Sequence, residues 1–188
     1  MHVMSRGKTI PVIISAKCAR SEFNGCDPDF IRNVCHGRCC WVLEGKKGTT
    51  TTVMVEEDQR TTLRKLGATI NDRSGIIKTV NGKCVFQSPE TGLCTVHLSG
   101  KKPRSCCQSP WFLTKNDKLI IRNRYRLMCC FKAEPRLPAY RAFESGLRTL
   151  FGNKEAARVI AHFEKGGGDV KAGMISDRYL LCKTVQHT

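Results

Sequence analysis

The 188-residue sequence predicts an α+β fold, a small metal-stabilised cysteine-cluster domain with short strands and a helical C-terminal segment. Three observations carry that expectation. Twelve cysteines recur along the chain, several of them beside turn residues. Short β-branched or alternating runs are separated by turn signals such as Asn81-Gly82 and Asn116-Asp117. After Pro135 and Pro138 the texture changes to apolar residues at helical spacing. The sequence therefore divides into a basic N-terminal segment (1–32), a cysteine-cluster metal-binding domain (33–134) and a helical C-terminal extension (135–188).

In the N-terminal segment, Val12-Ile13-Ile14 reads as a short strand. Trp41-Val42-Leu43 and the β-branched run Thr50 to Val55 predict two more, joined by a turn holding Lys46 and Lys47. Glu56 to Leu66 predicts a helix. Its acidic first turn suits the positive end of the helix dipole, and Gly67 is placed to stop it. Ile76 to Val80 and Val85-Phe86 predict a strand pair around Asn81-Gly82.

Trp111 to Leu113 and Lys118 to Leu127 predict a hairpin. On its second strand Leu119, Ile121, Asn123, Tyr125 and Leu127 share one face, and Arg122, Arg124 and Arg126 the other. Continuing that alternation turns Cys129 inward and Cys130 outward. Phe143, Leu147 and Leu150, then Val159, Ile160 and Phe163, predict helices over Ala139 to Phe151 and Lys154 to Lys165. Gly166-Gly167-Gly168 breaks the pattern, and Met174 to Cys182 predicts a last helix. Cys182, isolated there, reads as a packed or exposed thiol rather than a ligand.

Composition narrows the function. No run approaches the ~18 uninterrupted apolar residues of a membrane span. The apolar stretch Ile10 to Ala16 is short for a signal peptide and contains Pro11, and Lys17 before Cys18 spoils a cleavage or lipidation site. A cytoplasmic, reducing location is the expectation, and there so many thiols favour metal over disulfides. The formal charge is +16, from 32 Lys and Arg against 16 Asp and Glu. One or two four-thiolate centres, each contributing about −2, leave about +12 to +14. That excess favours a polyanionic partner, nucleic acid before anionic lipid.

The run Cys35-His36-Gly37-Arg38-Cys39-Cys40 concentrates three soft donors of the kind that hold zinc or an iron–sulfur cluster. Gly37 permits a positive φ between them, so that the turn aims amide N–H groups at sulfur. Cys84 and Cys94, each beside a turn, supply another edge. Cys106 or Cys107, with Cys129, closes the cage. The metal-ligand candidates are thus Cys35, Cys39, Cys40, Cys84, Cys94, Cys106, Cys107 and Cys129, with the bound member of each adjacent pair left open.

An ordered set of motifs accompanies these cysteines. After Cys35 to Cys40 come Val53-Met54-Val55-Glu56-Glu57-Asp58-Gln59-Arg60, Cys84-Val85-Phe86, Gly92-Leu93-Cys94-Thr95-Val96-His97 and Lys102-Pro103-Arg104-Ser105-Cys106, then a late cysteine. Over residues 33 to 131 this resembles the YkgJ-type, or CxxCxxCC, family of zinc- or iron-chelating domains. The resemblance implies a bound metal, zinc or iron. Through members similar to flagellin lysine N-methylases it also brings redox or group-transfer chemistry into view. The sequence departs from the pattern at Arg32, where the family has its opening cysteine, and in a Cys35–Cys39 gap longer by one residue. His97 stands in place of tyrosine and Lys102-Pro103 in place of Arg-Pro. The ligand number therefore stays open, with Cys18, Cys26, His36 and His97 as alternatives. For both histidines, ordinary surface or packing roles are the simpler expectation.

Other chemistry is sparse. Glu56, Glu57 and Asp58 suit a helix start better than acid–base work. Asp117 is turn chemistry. No nucleophile elbow, phosphate-binding P-loop or zinc-protease motif is present. A basic nucleic-acid-binding module with a structural zinc is the alternative function. Its candidate contacts are Lys101, Lys102, Arg104, Arg122, Arg124 and Arg126. On one strand face the three arginines would rise at ~6.8 Å steps, near the phosphate repeat. Trp41, Trp111 and Tyr125 are candidates for base stacking or for the core.

Overall fold

A computed structural model describes residues 9–25, 27–41, 53–97, 99–131, 134 and 136–175. It is a mixed α+β chain that forms two compact units. One takes residues up to Ser21, Gln108–Ile121 and the chain from Pro138; the other takes Glu22–Cys107 and Arg122–Leu137. These units cut across the three linear segments read from the sequence. Among the described residues, no helix is long and apolar enough to cross a membrane.

The first unit is a four-stranded sheet in the order Trp111–Leu113, Lys118–Ile121, Thr9–Ile14, Val170–Ile175. The hairpin of the first two strands turns through Asp117 as expected. Lys118–Ile121 runs parallel to Thr9–Ile14, which pairs antiparallel with Val170–Ile175 from Thr9↔Ile175 to Ile14↔Val170. Val12, Ile14, Leu119, Ile121, Ala172 and Met174 are buried at alternate strand positions. The Glu144–Glu164 helix packs on this sheet, contributing buried Leu147, Leu150, Val159, Ile160 and Phe163. The two helices expected here are separate, parted at Gly152, whose φ of 76° and ψ of 168° are not helical, and the first is itself interrupted at Phe143 after a short helix over Ala139–Ala142. Trp111 is 1% exposed, and its Nε1 donates to the Phe143 carbonyl oxygen at 3.1 Å, so it is a core residue and not a stacking platform.

Met174 and Ile175 belong to a strand, not to the helix expected from Met174; the remainder of that segment, with Cys182, lies outside the described residues. The period-two burial of Val170, Ala172 and Met174 is the reason.

In the second unit, the Glu57–Lys65 helix forms close to its expected bounds, with Glu56 at its N-cap and Glu57 and Asp58 in its first turn. Its buried Leu63 joins Val53, Val55, Ala68, Ile70, Ile77, Phe86 and Val96 in one apolar cluster. Asn81 and Gly82, both at positive φ, turn a hairpin between Thr79–Val80 and Lys83–Cys84. The pairing is tighter than expected, and it leaves Val85 and Phe86 in the following turn. Met54 makes a single bridge to Ile76. The rest of the expected Thr50–Val55 strand before Val53, the Val42-Leu43 strand residues and Lys46 and Lys47 lie outside the described residues.

The expected strand to Leu127 is corrected. It stops at Ile121, and Asn123–Leu127 winds into a 3-10 helix followed by a second over Cys129–Phe131. Arg122 turns the chain out of the strand, so Arg122, Arg124 and Arg126 do not form an evenly stepped ladder on one pleated face. Tyr125 is buried, as a core residue is.

Candidate metal centre

Five separate segments of the second unit carry the cysteines. The first begins at Asp27, whose side chain accepts from the amides of Asp29 and Phe30 and starts a helical turn at Pro28. That turn widens over Ile31–Cys35, and the His36 amide donates to the Ile31 carbonyl at 2.7 Å. His36 and Gly37 both adopt left-handed backbone, and Arg38–Cys40 closes as a 3-10 turn. Cys35 is thereby buried and Cys39 and Cys40 half-buried.

The second and third segments are the two arms of a loop. Cys84 ends the Lys83–Cys84 strand, and Cys94 bridges to Gln87. The Thr95 amide donates to Phe86 at 2.8 Å and the Ser88 amide to Leu93 at 2.9 Å. Gln87 then fixes this loop to the first segment. Its Nε2 donates to the carbonyl oxygens of His36 at 2.7 Å, Gly37 at 3.1 Å and Gly92 at 3.3 Å. The two turns touch so closely that a Cβ on Gly92 would lie 2.7 Å from the His36 carbonyl carbon, and one on Gly37 would strike the Gly92 carbonyl oxygen. Sequence reasoning missed Gln87; a lone polar residue between two cysteine turns gives no local signal.

The fourth segment is the Arg104–Gln108 helix with Cys106 and Cys107. Arg104 ion-pairs with Glu56 and Asp58, and its amide donates to Gln59 Oε1 at 3.1 Å. Ser105 Oγ donates to the Met54 carbonyl at 2.7 Å. Arg104 thus docks the cysteine helix on the start of Glu57–Lys65 through Glu56 and Asp58, while Glu57 pairs with Arg60 on its own helix. Arg104→Gln is expected to lower stability by about 1–2 kcal/mol. The readout is a lower urea midpoint at unchanged slope.

Cys129 and Cys130 lie in the turn after the arginines, held by the Asn24 amide donating to Cys130 at 2.6 Å and by a Phe23–Phe131 ring contact. The Cys129 thiol adds to the upward shift that burial gives the Cys35 thiol. Cys39 and Cys40 sulfurs stand 3.9 Å apart.

Electrostatics tie the thiols into sets. Burial pushes Cys106 up to about 12, with Cys84, Cys94 and Cys39 adding in the same direction and Lys102 opposing. Burial also raises Cys84, again with Cys94 and Cys39 adding, while the Phe86 amide opposes. Cys39 is raised first by its hydrogen bond with Cys40 and then by burial, against Lys102 and Arg124. Burial pushes Cys35 to about 12, opposed by a hydrogen bond from the Arg38 backbone.

In protein stripped by a chelator these shifts set a pH dependence. Below the ordinary thiol value of 9.0, both folded and unfolded chains keep the protons, and the contribution to stability is full. Above it the unfolded chain releases them first, so stability is expected to fall as pH rises from about 9 toward about 12. Urea midpoints at pH 8 and 10 measure it.

Among the described residues, no three His, Cys, Asp or Glu side chains are gathered at ligand geometry as they stand. The donors fit zinc or an iron–sulfur cluster by chemistry: they are soft sulfurs, desolvated, with amide donors and two cations beside them. His36 and His97 are both exposed, as ordinary surface histidines are, and Lys102 holds His97 below its ordinary value. Cys18 lies in the first unit, and Cys26 lies outside the described residues.

Of the basic candidates, Lys101 is exposed. Arg124 Nη2 donates to the Cys39 and Trp41 carbonyls at 3.4 Å each. The Trp41 ring meets Lys83 Nζ at 4.6 Å and the Arg38 guanidinium at 5.9 Å from its centroid. No protein-family model matches the chain, and neither a curated protein nor a solved structure matches it.

Proposed function

We propose that the chain is a metal-binding cysteine-cluster protein, holding zinc or an iron–sulfur cluster through thiolates drawn from Cys35, Cys39, Cys40, Cys84, Cys94, Cys106, Cys107 and Cys129. One observation carries this: Cys84, Cys94 and Cys106 pack against one apolar cluster, and Gln87 ties the turn that precedes Cys39 and Cys40 to the loop that carries Cys94. Burial keeps such thiols protonated until a cation replaces the protons. The residues then have distinct tasks. The Arg38 and Phe86 backbones favour the thiolates of Cys35 and Cys84, and Lys102 and Arg124 offset the negative charge of Cys39. Zinc would supply structural closure, and an iron–sulfur cluster would add redox or group-transfer chemistry. The motif resemblance to YkgJ-type domains supports the same reading.

Anaerobic purification with metal and sulfide analysis and a visible spectrum tests it. Stoichiometric zinc in colourless protein, or iron and sulfide in brown protein, supports the proposal. Metal-free protein with paired disulfides overturns it.

The second reading is a basic nucleic-acid-binding module with structural zinc, favoured by the +16 charge and by Lys102 and Arg124 beside the cysteines. Each phosphate neutralised on duplex DNA steepens the log–log salt dependence of binding by about 0.9. Replacing Arg122, Arg124 and Arg126 by glutamine is expected to flatten that slope. An unchanged slope rejects these residues as the contact.

A further inference from the structure

We infer that the free edge of the Val170–Ile175 strand is a pairing surface for a second copy of this chain, and that the Glu155–Arg158 ion pair holds it closed. Val170–Ile175 ends the four-stranded sheet, with Thr9–Ile14 on its inner side. Antiparallel strands exchange hydrogen bonds at every second residue pair. Pro11 has no N–H and stands opposite Gly173, so that pair and its alternates, Thr9↔Ile175 and Ile13↔Lys171, are the unbonded ones. Hence the N–H and C=O groups of Lys171, Gly173 and Ile175 point away from the sheet. Two of these outward groups are taken up by side chains. Glu155 Oε1 accepts from the Gly173 amide at 3.1 Å, and Arg158 Nη2 donates to the Lys171 carbonyl at 2.6 Å. The two side chains are themselves ion-paired at 2.7 Å. Both come from the Glu144–Glu164 helix beyond its break at Gly152.

One donor and one acceptor, set against a carbonyl and an amide two residues apart, reproduce what a residue of a neighbouring parallel strand would offer. The ion pair therefore stands where an added strand would bond. Sheet edges left open recruit other chains, and charged side chains at the edge are one means of preventing it. The occupant that fits the opened edge is the same strand of another copy. About a two-fold axis at Gly173, the two Gly173 residues exchange N–H and C=O, and Lys171 of each copy meets Ile175 of the other. No like charges then face each other, and Gly173 brings no side chain to the axis. The closing groups lie at the surface, with the Arg158 side chain 50% exposed and that of Glu155 28%, so removing them leaves the core packing intact. None of this depends on a metal.

Sedimentation of the full chain tests the inference, under reductant and at high salt so that the +16 charge is screened. The wild type is expected to keep one mass at every concentration. The double variant Glu155→Ala/Arg158→Ala is expected to dimerise as concentration rises, with an unchanged far-UV spectrum. Adding Ile175→Pro removes an outward N–H and is expected to return it to the monomer. Hydrogen exchange reads the edge itself: at low concentration the Gly173 amide is expected to exchange about tenfold faster in the double variant than in the wild type. A double variant that stays monomeric with a fast Gly173 amide overturns the pairing surface. A Gly173 amide no faster than in the wild type overturns the closing role of the ion pair. Association that survives Ile175→Pro overturns the register. Arg158→Gln frees the Lys171 carbonyl alone and is expected to dimerise more weakly. It carries the test where the double variant does not fold, and a strictly monomeric Arg158→Gln then overturns the inference.

Discussion

Replacing Gly92 with alanine is expected to lower the stability of the cysteine-bearing unit by about 2–4 kcal/mol and to reduce metal retention with it. Two costs add at this position. The backbone is left-handed, with φ at 70°, where an L side chain is strained. The added Cβ would also lie 2.7–2.9 Å from three backbone atoms of His36, and backbone cannot rotate away as a flexible side chain can. Gly82→Ala is the control. It has a similar φ of 72° but open space around it, so only the conformational cost of about 1 kcal/mol applies. Equal losses in the two variants, by urea unfolding, would show that the Gly37–Gly92 contact contributes nothing.

Cys39→Ser is expected to remove stoichiometric metal and, with it, at least about 3 kcal/mol of stability, the contribution of a ligand present at a hundredfold excess over its Kd. Cys39 is the sharpest choice because its sulfur stands 3.9 Å from that of Cys40 and Gln87 ties the turn before it to the loop that carries Cys94. The hydroxyl replaces a soft, deprotonated donor with a hard, protonated one of almost the same size, so packing changes little and coordination changes much. Urea unfolding of wild type and variant, each before and after chelation, separates the two. The expected pattern is a large chelation effect in the wild type and almost none in the variant. Full metal occupancy in Cys39→Ser would count strongly against the proposed ligands.

Local chemistry was legible in the sequence where a few neighbouring residues decide the outcome. Asn81-Gly82 specifies a tight turn by its own φ preferences, and Glu57 to Lys65 combines an acidic start with a basic last turn. The Lys118 strand overshot because its alternation continues past Ile121, while the chain leaves the sheet at Arg122 and becomes helical. The reverse error occurred at Met174. Val170, Ala172 and Met174 do alternate, but small and polar residues between them hide a strand whose partner, Thr9–Ile14, lies at the other end of the chain. No local pattern encodes that pairing. The cysteines followed the same rule. Their list was readable, but the close relation of Cys39 to Cys106 depends on Gln87 reaching His36 and Arg104 reaching Glu56 and Asp58. Both contacts span more than 40 residues.

X-ray absorption at the metal edge of anaerobically purified protein tests the central claim most directly. The expected result is a first shell of four sulfurs at about 2.3 Å, with an iron–iron scatterer in addition if the centre is a cluster. A shell of oxygen or nitrogen at about 2.0–2.2 Å, without sulfur, would contradict it, as would protein carrying no stoichiometric metal at all.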